Sequence, residues 1–241
     1  MNRAMVAAAS GMAAQQTQLE IVADNLANAD VAGFKSAAAT FADVRAGATG
    51  LGTITVGRHA VFAQGKLERS GGAFDLAIDG PGFFVVERGT ARAYTRNGAF
   101  ARQPDGTLRN ADGWTLTGVR IPANALTARV ERDGRVIADT PAAHGRTLAH
   151  LHLATFPAPE ALLPLGATLF AATDASGRAQ LFTPGTHGAP SLAFGMLERS
   201  NVSIVEAMMQ ILTAQRAYEA NAKGVQAADE MQRIANNLHR G

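Results

Sequence analysis

Between Met5 and Leu26 apolar residues return at a fixed interval. Met5, Met12, Leu19 and Leu26 lie seven apart, and Ala8, Val22 and Ala29 are offset from that series by three. This alternation lines one face of a helix and predicts a seam against another helix. Alanine and small polar residues fill most of the rest, which favours close helix-to-helix approach. The stop is marked in the sequence: Asn25, Asn28 and Asp30 tolerate terminal and left-handed conformations, and Gly33 supplies a positive-φ position ahead of Phe34. Asn28 and Gly33 are therefore read as the cap of the first helix.

The C-terminal stretch has the same texture. Ser203 and Glu206 have the spacing of a capping box, in which a hydroxyl and a carboxylate satisfy backbone amides at the helix start. Ile204, Met208, Ile211, Gln215, Tyr218, Ala222 and Val225 then alternate by four and three, and Met231, Ile234 and Leu238 continue the stripe. This predicts about 50 Å of helix at 1.5 Å per residue. Glu219 with Lys223, and Asp229 with Arg233, are spaced as i,i+4 ion pairs on the solvated face.

The middle follows a period of two. Runs such as FDLAID, GFFVVE, ARAYTR, LTARVE and LHLATF are punctuated by turns at Asp105-Gly106, Asp112-Gly113 and Asp133-Gly134, and predict an all-β body. Residues 42–58 are small and glycine-rich and read as a flexible connection. The expected architecture is mainly β with α, an all-β central domain inserted between N- and C-terminal coiled-coil helices. Its divisions are a helical assembly region at 1–34, a connector at 35–72, an outer β domain at 73–199, and a second helical assembly region at 200–241 that pairs with the first. Two alanine-rich helices alone bury too little to offset roughly 1–2 kcal/mol per residue of backbone ordering, so further copies of the chain are expected to complete the seam. Its contact residues are predicted to be Met5, Met12, Leu19, Leu26, Ile204, Met208, Ile211, Tyr218, Val225, Met231, Ile234 and Leu238.

Composition narrows the function classes. A chain of 241 residues with 47% hydrophobic content can bury a sizeable core. Its formal charge is +2, and the 13 basic and 9 acidic residues between Arg58 and Arg146 read as solvated side chains, with no nucleic-acid partner implied. Cysteine is absent, which removes disulfides, thiolate metal sites and thiol nucleophiles. The N-terminal alanine run is short and continuous with the helix pattern, and is read as mature sequence rather than a cleaved signal. No apolar run approaches the roughly 18 residues that span a bilayer, so membrane insertion is not expected.

Catalytic constellations are equally thin. His150 and His152 share a strand face without a third ligand nearby in sequence. Asp79 to Phe84, DGPGFF, has the glycines of a phosphate loop but lacks the lysine and following helix, and reads as a tight turn. Trp114, the only tryptophan, reads as a packing anchor. The expectation is a non-enzyme with no cofactor and no metal.

NLANADVAGFK near the start, FDLAIDGPGFFVV and YTRNGAF in the middle, IPANAL followed by RDG, and LERSNVSIVEAMMQILTAQRAYEANAK near the end together resemble the flagellar basal-body rod proteins. The match runs along most of the chain in order. IPANAL and Thr183–Gly185 look most like the distal rod member, whereas the connection at 42–58 looks shorter than in typical distal members and leaves a proximal rod protein as the alternative. The resemblance implies a subunit exported unfolded through the flagellar type III apparatus without a cleaved signal. It implies a hollow rod in the periplasmic space, with terminal helices forming an inner tube and the β domain facing outward, transmitting torque from motor to hook. The implied partners are further copies of the chain, other rod and hook proteins, and the bushing rings of the envelope. A surface adhesin with a β head, or a wall-cutting enzyme, would instead need an anchor or an acid and base pair.

Overall fold

The computed structural model describes residues 3–46, 49–141, 143–166, 168–186 and 189–238, with Leu238 placed by its backbone alone. The chain divides into two compact units: Met1–Ala27, Ala37–His59 and Val202–Gly241 form one, and Asn28–Ser36 with Ala60–Asn201 form the other.

The first unit is helical. Helix α1 (Arg3–Ala27) packs on α2 (Ile204–Leu238), and strands β1 (Ala37–Ala46) and β2 (Thr49–Ala60) pair as a two-stranded ribbon. The ribbon stands where a flexible connection was expected. Its physical basis is the unbroken β-branched run Thr53-Ile54-Thr55-Val56, which prefers extended backbone despite the surrounding glycines. The ribbon is fastened to α1 along its length. The Asn25 amide donates to the Ala37 carbonyl and accepts from the Ala37 amide, both at 2.8 Å, and Thr53 N donates to Ser10 Oγ at 3.1 Å. Arg58 adds an ion pair with Asp24. Gly52, at φ +122°, lies against Ser10, where a Cβ would fall 1.9 Å from the hydroxyl oxygen.

The second unit is the β body. Its strands are β3 (Leu67–Arg69), β4 (Leu76–Asp79), β5 (Phe83–Arg88), β6 (Ala91–Thr95), β7 (Ala101–Arg102), β8 (Thr107–Arg109), β9 (Thr115–Arg120), β10 (Thr127–Val130), β11 (Arg135–Thr140), β12 (Ala143–His150), β13 (Leu153–Thr155), β14 (Leu163–Gly166), β15 (Leu169–Ala171), β16 (Gln180–Phe182), β17 (Ser191–Phe194) and β18 (Met196–Glu198). The main sheet runs β14-β15-β6-β5-β9-β8-β7, with β13 joining β5 to β16. Beside it lie the antiparallel sheet β10-β11-β12 and the pairs β17-β4 and β18-β3. The predicted turns hold: Gly106, Gly113 and Gly134 link β7 to β8, β8 to β9 and β10 to β11 at φ values of +81° to +83°.

Strand β5 shows why GFFVVE is a continuous apolar run. Phe84 and Val86 face a core with Leu76, Ile78, Leu116, Leu153 and Leu192, while Phe83 and Val85 face a second one with Tyr94, Phe156 and Phe170. Strict alternation carries both faces into apolar surroundings. In the second core Phe62 meets Phe83 and Phe170 edge-on, with ring centroids 5.0 Å apart in each case. Trp114 is buried in the first, and Arg88 covers its ring at 4.8 Å.

Candidate assembly face and buried ionic anchor

The faces of α2 sort by side-chain size. Ala207, Ala214 and Ala228 are 4%, 3% and 2% exposed, and with Asn221 they form a series spaced by seven. This is the inward seam. Gly11 of α1 lies opposite Asn221, where a Cβ would sit 2.9 Å from the amide nitrogen. Gln15 and Gln18 line a groove of about 540 Å³ with Val205, Met209 and Ala214. Residue numbers fall on one helix as they rise on the other, so α1 and α2 are antiparallel. On α1 the buried positions are Ala14, Ile21, Val22 and Asn25, while Met5, Met12, Leu19 and Leu26 are half-buried.

The large side chains of α2 face outward. Val205, Met209 and Met231 keep 70%, 63% and 61% of their surface exposed. Ile204, Met208, Leu212, Tyr218 and Ile234 are exposed as well, and Ile211 and Val225 are half-buried. A run of exposed apolar residues rather than scattered single ones marks an interaction surface. The predicted contact residues therefore divide between the rim of the α1–α2 seam and this outer face; the Leu238 side chain lies outside the described residues.

At the start of α2, Ser203 Oγ accepts the Glu206 amide at 3.4 Å, and the Ser203 carbonyl accepts the Ala207 amide at 2.9 Å. The Glu206 carboxylate takes a hydrogen bond from Gln210 Nε2 one turn on, at 3.3 Å. After α1, Val31 N donates to the Asn28 carbonyl at 3.1 Å, and Gly33 adopts φ +69°. The expected ion pair of Asp229 with Arg233 is replaced: Arg233 bonds Glu230 at 2.5 Å, one residue nearer along the helix. Glu219 and Lys223 are exposed and form no ion pair with each other.

The β body contains a charged cluster without a counterpart in the sequence reading. Glu198, at the end of β18, is wholly buried. Its Oε1 accepts Lys35 Nζ at 2.7 Å and Gly65 N at 2.8 Å, and its Oε2 accepts Arg96 Nε at 2.8 Å. Lys35 also donates to the Ala63 carbonyl at 2.7 Å. Arg96 Nη1 donates to the Gly80 and Gly82 carbonyls at 2.8 and 2.7 Å, so the DGPGFF turn, with no phosphate to hold, grips a guanidinium with its backbone oxygens. Burial lowers the Lys35 pKa below the ordinary lysine value, and the adjacent Glu198 carboxylate offsets part of that effect. The main chain is tied here too. Gly33 N donates to the Glu198 carbonyl at 2.7 Å, and a Cβ on Gly33 would lie 2.3 Å from Asn97 N.

His150 ends β12 and His152 lies beyond it, both exposed. Among the described residues no group of three or more potential ligands is placed to hold a metal ion. None of the described helices is long and apolar enough to cross a membrane.

Three segments of the chain match known families. Residues 5–35 match the description flagella basal body rod protein, residues 77–138 the flagellar hook protein FlgE/F/G D1 domain, and residues 194–238 the flagellar basal body rod FlgEFG protein C-terminal. The chain is 37% identical over 257 residues to the flagellar basal-body rod protein FlgG of Agrobacterium fabrum, covering 97% of this chain and 98% of the relative. The chain belongs to the FlgG family of flagellar basal-body rod proteins. With the FlgG of Borreliella burgdorferi it shares 36% identity over the full length of both. The flagellar hook protein FlgE of Rhizobium meliloti is 40% identical over 121 residues, which is 47% of this chain and 30% of that protein. As a FlgG-family chain it is a structural subunit of the basal-body rod. The buried anchor draws one residue from each matched segment: Lys35 from the first, Arg96 from the second and Glu198 from the third.

Proposed function

We propose that the outer face of α2, with the rim of the α1–α2 seam, is where copies of this chain polymerise into the hollow shaft of the distal rod. The observation that carries this reading is the sorting of α2 by size, alanines inward and Val205, Met208, Met209 and Leu212 outward. Burying those side chains between neighbours stabilises each copy by roughly 1.5–3 kcal/mol per large residue, repeated around the tube. Residues 1–34 and 200–241 are then the assembly regions and the β body faces outward. The partners are further copies of the chain, the adjoining rod and hook proteins, and the bushing rings of the envelope. The role is mechanical rather than catalytic: transmission of torque from motor to hook, by subunits exported without a cleaved signal.

The test replaces single residues and scores basal bodies by electron microscopy after complementation of a null strain. Met208→Asp or Ile211→Asp puts a carboxylate into an apolar interface, where an unpaired charge costs several kcal/mol in every copy. Rods and motility are expected to be lost while the β body of the purified full-length variant stays folded, read by the fluorescence of Trp114. Glu219→Ala, at an exposed position, keeps rods. Normal rods from Met208→Asp and Ile211→Asp would show that this face is not the assembly interface.

A further inference from the structure

We infer that the β body cannot close until Glu198 arrives, so that a chain delivered N-terminus first stays open over residues 60–190 until its last quarter is present. Three observations converge on the same short segment. Among the described residues, β4 finds its strand partner only in β17, in the register Leu76↔Phe194 to Asp79↔Ser191, and β3 finds its partner only in β18. Leu76, Ala77 and Ile78 are fully buried, and Leu192 of β17 enters the same core as Phe84 and Phe100. Without residues 191–198 that core keeps one open side, and strand β4 has an unpaired edge.

The charges give the device its all-or-none character. Lys35 and Arg96 are both buried, and the carboxylate that both of them meet there is Glu198. A native-like body formed early would hold two cations out of water with no anion between them. Such an arrangement is strongly disfavoured, because an uncompensated buried charge costs far more than the completed pair contributes. The cluster therefore acts against premature closure as much as for the final state. Its members are separated by 61 and 102 residues along the chain, counting Lys35 to Arg96 and Arg96 to Glu198. Contacts of such separation form late.

The test follows the full-length sequence during synthesis, with an arrest peptide placed at successive distances to report folding force on the ribosome-bound chain. A folding signal for the body is expected only at lengths that bring residue 198 outside the exit tunnel. Glu198→Gln keeps the shape of the side chain and removes its charge, and is expected to suppress that signal. Arg199→Ala, whose guanidinium pairs with exposed Asp30, is expected to leave it unchanged. Purified full-length protein supplies a second readout through the fluorescence of buried Trp114: Glu198→Gln should lower the folded-to-unfolded ratio on the order of a hundredfold or more, and Arg199→Ala should leave it nearly unchanged. A full-sized signal while residues 191–198 are still inside the tunnel would overturn the inference. So would a Glu198→Gln chain that folds at the same length and with the same stability as the unaltered one.

Discussion

The β body and helix α2 bury opposite kinds of side chain. In the β body the fully buried positions include many large side chains: Phe84, Leu76, Ile78, Leu108, Leu116 and Leu153. In the helical unit the buried positions of α2 are alanines, and Ile204, Met208, Met209, Leu212, Met231 and Ile234 stand in solvent. Hydrophobic stabilisation scales with the apolar area removed from water, so the β body holds a full core within one chain, whereas α2 leaves its large apolar side chains uncovered. A long helix stabilised mostly by alanine contacts is marginal in water, since helical stability in proteins comes chiefly from packing of an apolar face. On the proposed function, the difference separates what folds from what assembles.

The comparison can be broken first where its effect is largest. Phe84→Ala empties space at the centre of the first core and is expected to cost about 3–5 kcal/mol, read as a fall in the denaturant midpoint of Trp114 fluorescence. An equal loss from Met209→Ala in the monomer would erase the contrast between the units. The alanine seam gives a smaller and more local effect. Ala214→Leu forces extra methylenes between α1 and α2 and should cost about 1–3 kcal/mol of helix pairing. It should appear in far-UV circular dichroism melts of the helices and leave the Trp114 transition in place. A variant that tolerates leucine at 214 without change would mean that the helices do not meet along the alanines.

Much of this was legible in the sequence because periodicity reports burial directly. The heptad spacing located both helices, and the Asp-Gly pairs located three hairpin turns at the right residues. GFFVVE was legible as a strand, though not as one buried on both faces, since a short apolar run carries no sign of what covers it. The stripe predicted as the assembly interface, shared between α1, α2 and neighbouring copies, was drawn through the large residues. The α2 positions buried within the chain are Ala207, Ala214 and Ala228, which the reading did not single out, because an apolar stripe on a helix is wide enough to serve two neighbours and alanine scores weakly in a pattern weighted to size. The ribbon was missed because glycine count outweighed four β-branched residues in a row. The ionic anchor was missed for a different reason. Lys35, Arg96 and Glu198 each sit beside an apolar or aromatic run, in GFK, YTR and LER, and that adjacency was the available signal. A charge in the sequence looks solvated until its partners, more than 60 residues away, are known.

The central claim, that the body is complete in one chain and the helices are completed by neighbours, is tested most directly by backbone amide exchange on the same protein as a verified monomer and in assembled rods. Peptides from β5 and β6 should be equally protected in both states. Peptides spanning Val205–Tyr218 of α2 should exchange rapidly in the monomer and become manyfold slower in the rod. If α2 is already as protected as β5 in the monomer, the helices need no neighbours, and the account is contradicted.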